Sequence, residues 1–251
     1  MNNLNPRLEL KNISKRFGPV EALVNVSMTV NSGEVVALLG DNGAGKSTLI
    51  KILSGVYRQD QGELNWEGKN VAIKSPVDAR KLGFSVVYQD LAVVPLMSIY
   101  RNFFLGREDE ICKKYLGISF IRKNYARSIS RKALNTLGIE IENVDSNVGI
   151  LSGGERQSIS IARAVYFQSK LLILDEPTAA LSLKETAKVL SYVQEAKTSN
   201  VSVILITHNI SHAWESADRF IVLYRGEVAD ISKKEDTSIK EIENLINTGK
   251  K

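Results

Sequence analysis

Three short stretches hold residue types that do phosphate chemistry. The first, Gly40-Asp41-Asn42-Gly43-Ala44-Gly45-Lys46-Ser47, fits G-x-x-x-x-G-K-[ST]. Glycines at those places let the backbone curl until several N–H groups face one anion, and a helix behind them adds its positive end. Lys46 is placed to reach the β- and γ-phosphates of a nucleotide as a point charge, and the Ser47 hydroxyl, followed by Thr48, to ligate Mg²⁺. The second stretch is Asp175-Glu176, after the apolar run Leu171-Leu172-Ile173-Leu174. At the carboxyl end of a strand, Asp175 is placed to hold Mg²⁺ and Glu176 to orient or deprotonate an attacking water. Taken without the first stretch, the same pair reads equally as an acidic helix start before Pro177. The third stretch is Leu151-Ser152-Gly153-Gly154-Glu155-Arg156-Gln157. Ser152 and Glu155 have capping-box spacing, and the Gly153 and Gly154 amides would make a second anion site. A plain cap explains the serine and the glutamate but does not require two successive glycines.

The elements around these stretches suit the chemistry. Val35-Val36-Ala37-Leu38-Leu39 reads as a buried strand ahead of the first loop, and residues Thr48 to Ser54 as a helix closed by Gly55. Strand, glycine loop, helix is the context a phosphate site needs. Leu8 to Lys15 and the alternating Val24, Val26, Met28 and Val30 read as half-buried strands, with a turn at Phe17-Gly18-Pro19-Val20. Asp60 to Gly68 reads as turn, strand, turn. Phe84-Ser85-Val86-Val87-Tyr88-Gln89, Val201 to Ile206 and Phe220 to Leu223 are further strands. Leu183, Val189, Leu190, Val193 and Ala196 keep near-helical spacing, as do Ile159, Ala162 and Tyr166 behind the second glycine loop. From about Asp90 to Asn147 the chain is rich in Lys and Arg and reads as a helical insertion, its clearest helix from Lys123 to Leu137. Arg225-Gly226-Glu227 reads as a hairpin turn. Residues 230–251 read as a charged tail ending in a helix with Ile239, Ile242, Leu245 and Ile246 on one face. Strands alternating with helices imply a parallel sheet with right-handed crossovers.

Bulk properties narrow the class. A chain of 251 residues, 43% hydrophobic and 24% charged, suits one large α/β domain, or a core with an inserted subdomain. The net charge of +5 is mild, and no basic stripe marks a dedicated nucleic-acid binder. A single cysteine, Cys112, gives no disulfide framework and fits a reducing interior. The first residues lack the apolar core of a signal peptide, and no apolar run approaches membrane-spanning length. The expectation is a soluble protein that meets a membrane through a partner.

Taken together, the three stretches resemble the ATP-binding subunits of ABC transporters, in order and over nearly the whole chain. Gly40 to Ser47 matches the Walker A loop, Leu151 to Gln157 the signature loop, and Leu171 to Thr178 Walker B with its glutamate. The resemblance implies an α/β P-loop NTPase (RecA-like) core with an N-terminal antiparallel β subdomain and an inserted α-helical subdomain. It places one ATPase domain at 7–247: core at 7–89 and 158–229, helical subdomain with the signature loop at 90–157, tail at 230–251. It assigns Gln89 to the glutamine loop that senses Mg²⁺, His208 to the switch histidine on the γ-phosphate, and Phe17 to the aromatic stacked on adenine. Alone, each of these three is ambiguous: a strand-end histidine can be structural and Phe17 a core residue. Contact with ATP falls to Phe17 and to Gly40 through Thr48. Catalysis falls to Glu176, His208 and Lys46, and Mg²⁺ to Ser47, Gln89 and Asp175. Ser152, Gly153, Gly154 and Glu155 would meet ATP from the other copy of a head-to-tail dimer. One departure stands out: Ala179-Ala180-Leu181-Ser182 has Ser182 where the family generally has aspartate, which puts coupling between the two sites in doubt.

Val87 to Leu91, Val94-Pro95, Asn102 to Glu108, Glu176 to Ser182 and Ser216 to Arg219 are similar to bacterial monosaccharide importers. This implies transmembrane permease partners, indirectly a sugar-binding protein, no nucleic acid, and a place on the inner face of the cell membrane. The segment Leu91 to Leu105 would form part of a groove for a permease helix, or else pack as an ordinary helix. The alternative function is an ABC ATPase outside transport, acting on ribosomes or DNA. A long charged linker or coiled-coil insertion would mark that class, and this sequence has neither.

Overall fold

The computed structural model describes residues 6–89, 93–115, 118–136, 139, 141–179 and 181–250. Asp90, Leu91, Leu137 and Ala180, which figure in the sequence reading, lie outside the described residues. The chain divides into two compact units. One comprises Met1–Gln89, Ser169–Ala179 and Val193–Lys251, the other Asp90–Gln168 and Ala180–Tyr192.

In chain order, β1 (Leu8–Phe17) and β2 (Val20–Val30) form a hairpin, and β3 (Val35–Leu39) leads through the first glycine loop into α1 (Lys46–Leu53). Next come β4 (Gln61–Trp66), β5 (Lys69–Asn70), α2 (Pro76–Lys81) and β6 (Phe84–Val87). The second unit holds α3 (Ile99–Phe103), β7 (Cys112–Tyr115), β8 (Ile118–Ile121), α4 (Lys123–Thr136) and α5 (Gly153–Tyr166). Then follow β9 (Leu171–Asp175), α6 (Leu183–Thr198), β10 (Ser202–Ile206), α7 (Ile210–Ser216), β11 (Arg219–Tyr224), β12 (Glu227–Lys233) and α8 (Ile239–Thr248).

The first unit contains two sheets. One is antiparallel, in the order β2-β1-β4-β5; the other runs β12-β11-β3-β10-β9-β6, parallel except for β12. Every residue of β3 and β10 is buried, as expected of central parallel strands covered on both faces. Leu8, Leu10, Ile13 and Val26 share one apolar cluster with Leu38, Leu49, Ile52 and Ile173, so both sheets and α1 are built on the same core. α1 ends in a Schellman motif. Ser54 is the C-cap, Gly55 follows with φ +75°, and the Val56 N–H donates to the Lys51 carbonyl at 2.8 Å.

The structure changes the sequence reading in several places. A two-stranded hairpin, β7–β8, stands inside the section read as helical. Strands of four residues are too short to show a period against helical neighbours. The short helices α2 and α7 were likewise not expected, whereas α3 lies inside the section read as helical. Residues 230–233 belong to β12, the edge strand on β11, and α8 buries Ile242 and Leu245 and packs on β11, so the C-terminal residues belong to the first unit. Val20 lies in β2, not in the turn. Leu183 heads α6 but is 89% exposed, because its position is at the helix start rather than on the buried stripe of Val189, Val193 and Ala196. Helix α4 matches the expected helix as far as Thr136. None of the described helices is long and apolar enough to cross a membrane.

Candidate functional site

Strand register brings the first unit's chemistry to one edge. In the parallel sheet Ile206 pairs with Asp175 on one side and with Leu38 on the other, while Val87 pairs with Leu174. The glycine loop after β3, Asp175-Glu176 after β9, Thr207-His208 after β10 and Gln89 beyond β6 therefore all leave by the carboxyl edge. Open parallel sheets bind ligands there.

The loop's glycines answer to close approach. At Gly40 (φ +147°) a Cβ would collide with the Leu223 carbonyl, and at Gly45 (φ +106°) it would come within 2.7 Å of both the Ala22 carbonyl and the Leu23 side chain. The Gly226 N–H donates to the Ala44 carbonyl at 3.1 Å, fixing the loop to the β11–β12 turn. Lys46 folds back across its loop, its Nζ donating to the carbonyls of Gly40 (2.6 Å) and Asp41 (3.0 Å). Burial lowers the Lys46 pKa, and the carboxylates of Glu176, Asp175 and Asp41 oppose that shift. Asp175 is pushed the other way: burial first, then the like charge of Glu176, raise its pKa against Lys46 and Lys51. Lys46, Asp175 and Glu176 thus lie within electrostatic reach of one another.

Glu176 holds φ +50°, the left-handed region that a residue with a Cβ seldom takes. Its N–H donates to the Ile206 carbonyl at 2.9 Å, tying the strained residue to β10. Strain of this kind persists where the surroundings dictate it and collects at functional sites. His208 Nδ1 lies 2.8 Å from Glu176 Oε2, close enough for an ion pair when the ring is protonated. Among the described residues none gives this buried oxygen a hydrogen bond. The histidine side chain is largely exposed and the glutamate largely buried.

A second histidine, which the sequence reading passed over, braces this edge. His212 Nδ1 is 3.0 Å from the Thr178 hydroxyl, and Nε2 is 3.3 Å from the Asn209 side-chain nitrogen. Asn209 is the N-cap of α7, its Oδ1 accepting the His212 N–H at 3.2 Å. That cap fixes the amide so that its NH₂ faces Nε2. Nε2 must then accept, which places the ring proton on Nδ1, donating to Thr178. His212 therefore ties the segment after Glu176 to the segment carrying His208. The two contacts join residues 34 and 3 apart, and the longer link left no spacing signal in the sequence.

Phe17 is 40% exposed at the end of β1, its ring edge-on to Tyr57 at 5.2 Å and with the Lys15 ammonium 5.4 Å from the ring centre. Gln89 is exposed beyond β6. Asp218 and Arg219, in a stretch prominent in the family resemblance, have structural partners. Asp218 accepts the Val35 N–H at 3.0 Å and pairs with Lys197 at 2.5 Å, and Arg219 pairs with Glu34 at 2.7 Å.

In the second unit, Ser152 and Glu155 form the expected capping box at the start of α5. The two glycines differ. A Cβ on Gly154 would collide with the Glu185 carboxylate, whereas one on Gly153 meets nothing within 4 Å. Glu185 accepts from the Ser182 N–H (2.9 Å) and hydroxyl (2.8 Å) while the Ser182 Oγ accepts the Glu185 N–H (3.4 Å), a second reciprocal cap. The bonds from the Ser182 backbone and side chain hold the Glu185 carboxyl below its ordinary range. Buried Asn102 organises the segment before α3. It accepts the Val94 N–H and donates to the carbonyls of Val94, Met97 and Ser98. Val94, Leu96 and Ile150 remain exposed.

The oxygens at the first unit's edge fit a hard divalent cation. A serine hydroxyl and a carboxylate are ligands that leave room for water and phosphate oxygens. A cation beside Asp175 would also relieve the burial and repulsion that disfavour its charged form.

A family profile described as "ABC transporter" matches residues 23–179. The chain is 49% identical to a xylose/arabinose import ATP-binding protein of Sulfolobus acidocaldarius, over 95% of this chain and 93% of that one. It is 42% identical to a fructose import ATP-binding protein of Rhizobium meliloti, over 85% and 83% of the two chains. A ribose import ATP-binding protein of Clostridium tetani is also 42% identical, but there this chain spans 45% of the relative's length. Among solved structures, an ATP-binding cassette of an ABC transporter in its ADP conformation superposes with a TM-score of 0.80 at 26% identity, covering 97% of this chain and 95% of that one. A dimeric cassette in a post-hydrolysis state bound to ADP and Pi gives 0.77 at 26% identity, covering 90% and 98%.

Proposed function

The chain belongs to the ABC transporter ATP-binding family, and from that premise we propose that it hydrolyses ATP to power import of a monosaccharide through a membrane permease. One observation carries the catalytic part: Lys46, Asp175, strained Glu176 and His208 meet at one edge of a parallel sheet. The sugar part rests on relatives named for import of xylose or arabinose, fructose and ribose.

Each residue has a task in this reading. The backbone of Gly40 to Thr48 cradles the phosphates, and Lys46 exchanges its two carbonyl bonds for phosphate oxygens. Phe17 stacks on the adenine. Ser47 and Asp175, with Gln89, hold Mg²⁺, which when bound supplies charge neutralisation for the transferring phosphoryl. Glu176 takes a proton from the attacking water or orients it, and His208 holds the γ-phosphate side of the site. Ser152, Gly153, Gly154 and Glu155 of a second copy close over the triphosphate, so the dimer is head-to-tail and the γ-phosphate favours its closure. Val94, Leu96 and Ile150 receive the permease, placing the chain on the inner face of the membrane.

The test is reconstitution of this chain with its permease and a sugar-binding protein in vesicles. Phosphate release should rise when xylose, arabinose, ribose or fructose is supplied with the binding protein. Turnover indifferent to all four sugars would overturn the transport reading, and absence of ATP hydrolysis would overturn the catalytic one.

A further inference from the structure

The β7–β8 hairpin of the second unit has no task in nucleotide chemistry. Its register pairs Lys113 with Phe120 and Tyr115 with Ile118. Directly opposed residues in an antiparallel pair share a face. Tyr115, Ile118 and Phe120 therefore stand together with Lys113 beside them, and they are 67%, 60% and 55% exposed. Just beyond, Tyr125 is also exposed, with the Arg122 guanidinium 4.2 Å from its ring centre.

The charge around this face is one-sided. Between Ile111 and Gly138 the sequence has seven of the chain's 33 Lys and Arg and none of its 28 Asp and Glu, so the rest of the chain carries a net charge of −2. Lys113 and Lys114 lie in β7, Arg122 and Lys123 follow β8, and all four are exposed. Among the acids just before it, Glu110 pairs with Arg107 at 3.3 Å and Glu108 accepts the Gly106 N–H at 2.8 Å, while Asp109 is exposed. On α4, Arg127 pairs with Asp145 at 2.8 Å.

We propose that this hairpin is a lipid-contact element: Tyr115, Ile118 and Phe120 enter the headgroup layer of an anionic bilayer leaflet while the flanking cations bind lipid phosphates. Three such side chains expose on the order of 300–400 Å². That is well below the roughly 1,200 Å² of a stable protein interface, but it suffices for an interfacial anchor that electrostatic attraction completes. Aromatic rings with a neighbouring lysine suit the membrane–water boundary. A nucleic acid would gain little from the aliphatic Ile118, which has no stacking face. The contact goes beyond the transport reading and stands without it, because it needs neither nucleotide nor permease.

The experiment uses the full chain carrying Phe120→Trp, with the parent chain giving the background of Trp66 and Trp214. Phosphatidylcholine vesicles containing phosphatidylglycerol should blue-shift the new emission and sediment the protein. Phosphatidylcholine alone should do neither, and rising salt should release it. Ile118→Ser with Tyr115→Ser should abolish the shift. Lys113→Glu with Lys114→Glu should weaken binding by roughly fivefold or more per charge. All are exposed positions, so circular dichroism and ATP hydrolysis of the isolated chain should match the parent. Any of three results would overturn the proposal: no shift on anionic vesicles, sedimentation unchanged by the Ser and Glu variants, or a shift produced without lipid by raised protein concentration or by duplex DNA.

Discussion

Gly40 and Gly45 are hemmed in by Leu223, Ala22 and Leu23 of their own unit, whereas Gly153 faces nothing within 4 Å. The first loop is shaped from within: side chains at 40 and 45 would strike the chain's own backbone, and Lys46 is already bonded across the turn. The second loop is shaped only in part. Its serine and glutamate cap α5, and Gly154 makes room for Glu185. Among the described residues no neighbour requires Gly153 to be a glycine. A glycine whose own chain does not require it is free to answer to a molecule outside the chain. In the proposed reading, the contrast is between a self-contained phosphate cradle and a surface that would complete a second copy's site.

The largest effect belongs to the cradle's edge. Glu176→Gln keeps the left-handed backbone and the bond to Ile206 but loses the base, so phosphate release should fall about 100- to 10,000-fold while ATP still binds. Turnover near the parent rate in a single-turnover assay would remove Glu176 from the chemistry and leave its strained backbone without a purpose.

Next comes the second loop, where two neighbouring substitutions should diverge. Gly153→Ala introduces a methyl into open space at the first position of α5, where alanine is favoured over glycine by about 0.5–1 kcal/mol. Thermal stability should hold or rise. Turnover should nevertheless drop about 10- to 100-fold, because a methyl between the loop and a partner's triphosphate misplaces the reacting groups. Gly154→Ala drives the Glu185 carboxylate off Ser182, so the gain in helix propensity and the loss of that cap nearly cancel. Calorimetry and hydrolysis on the same samples decide it. A stable, fully active Gly153→Ala protein would end the contrast drawn here.

His212 allows a finer cut. It touches neither loop, yet it joins the segment after Glu176 to the one bearing His208. His212→Ala should lower kcat about tenfold, as removal of a supporting partner does, with the KM for ATP unchanged. His212→Gln, which can donate to the Thr178 hydroxyl and accept from the Asn209 amide, should recover most of the loss. Equal losses in both variants, or a loss in KM alone, would make His212 a packing residue.

Much of this was legible in the sequence. β3, β9 and β10 announced themselves because strands buried on both faces must be continuously apolar, and the phosphate loop because strand, glycines and helix follow one another directly. Contacts across long separations left no such trace. Thr178 meets His212 through the edge of the sheet, and Gly154 meets Glu185 through the packing of the second unit. The hairpin at 112–121 was hidden for a different reason: four-residue strands between helices are outvoted by their neighbours' period. Leu183 misled because helical spacing continued one turn past the point where the stripe stops being covered.

The smallest effect tests the cap at Ser182, where the family generally has aspartate. Ser182 and Glu185 hold each other, and both lie at the surface, so Ser182→Ala should cost only about 0.5–1 kcal/mol at neutral pH. The pH dependence carries the sharper information. Bonding from Ser182 lowers the Glu185 pKa in the folded state. A depressed carboxylate stabilises the fold fully above its unfolded pKa of about 4.3, and that stability drains away as pH falls through the lower folded value. The Tm gap between parent and Ser182→Ala should therefore be constant from neutral pH down to about 5 and narrow below about 4.3, where the pH-independent bond from the Glu185 N–H to the Ser182 Oγ alone persists. In Gly154→Ala, whose methyl displaces the same carboxylate, adding Ser182→Ala should cost less than it does in the parent, since its bond to the carboxylate is already broken and only the bond from the Glu185 N–H remains to lose. Full additivity of the two substitutions would mean that Glu185 had simply swung aside and kept its hold on Ser182, and Gly154, like Gly153, would then owe its place to something outside the chain.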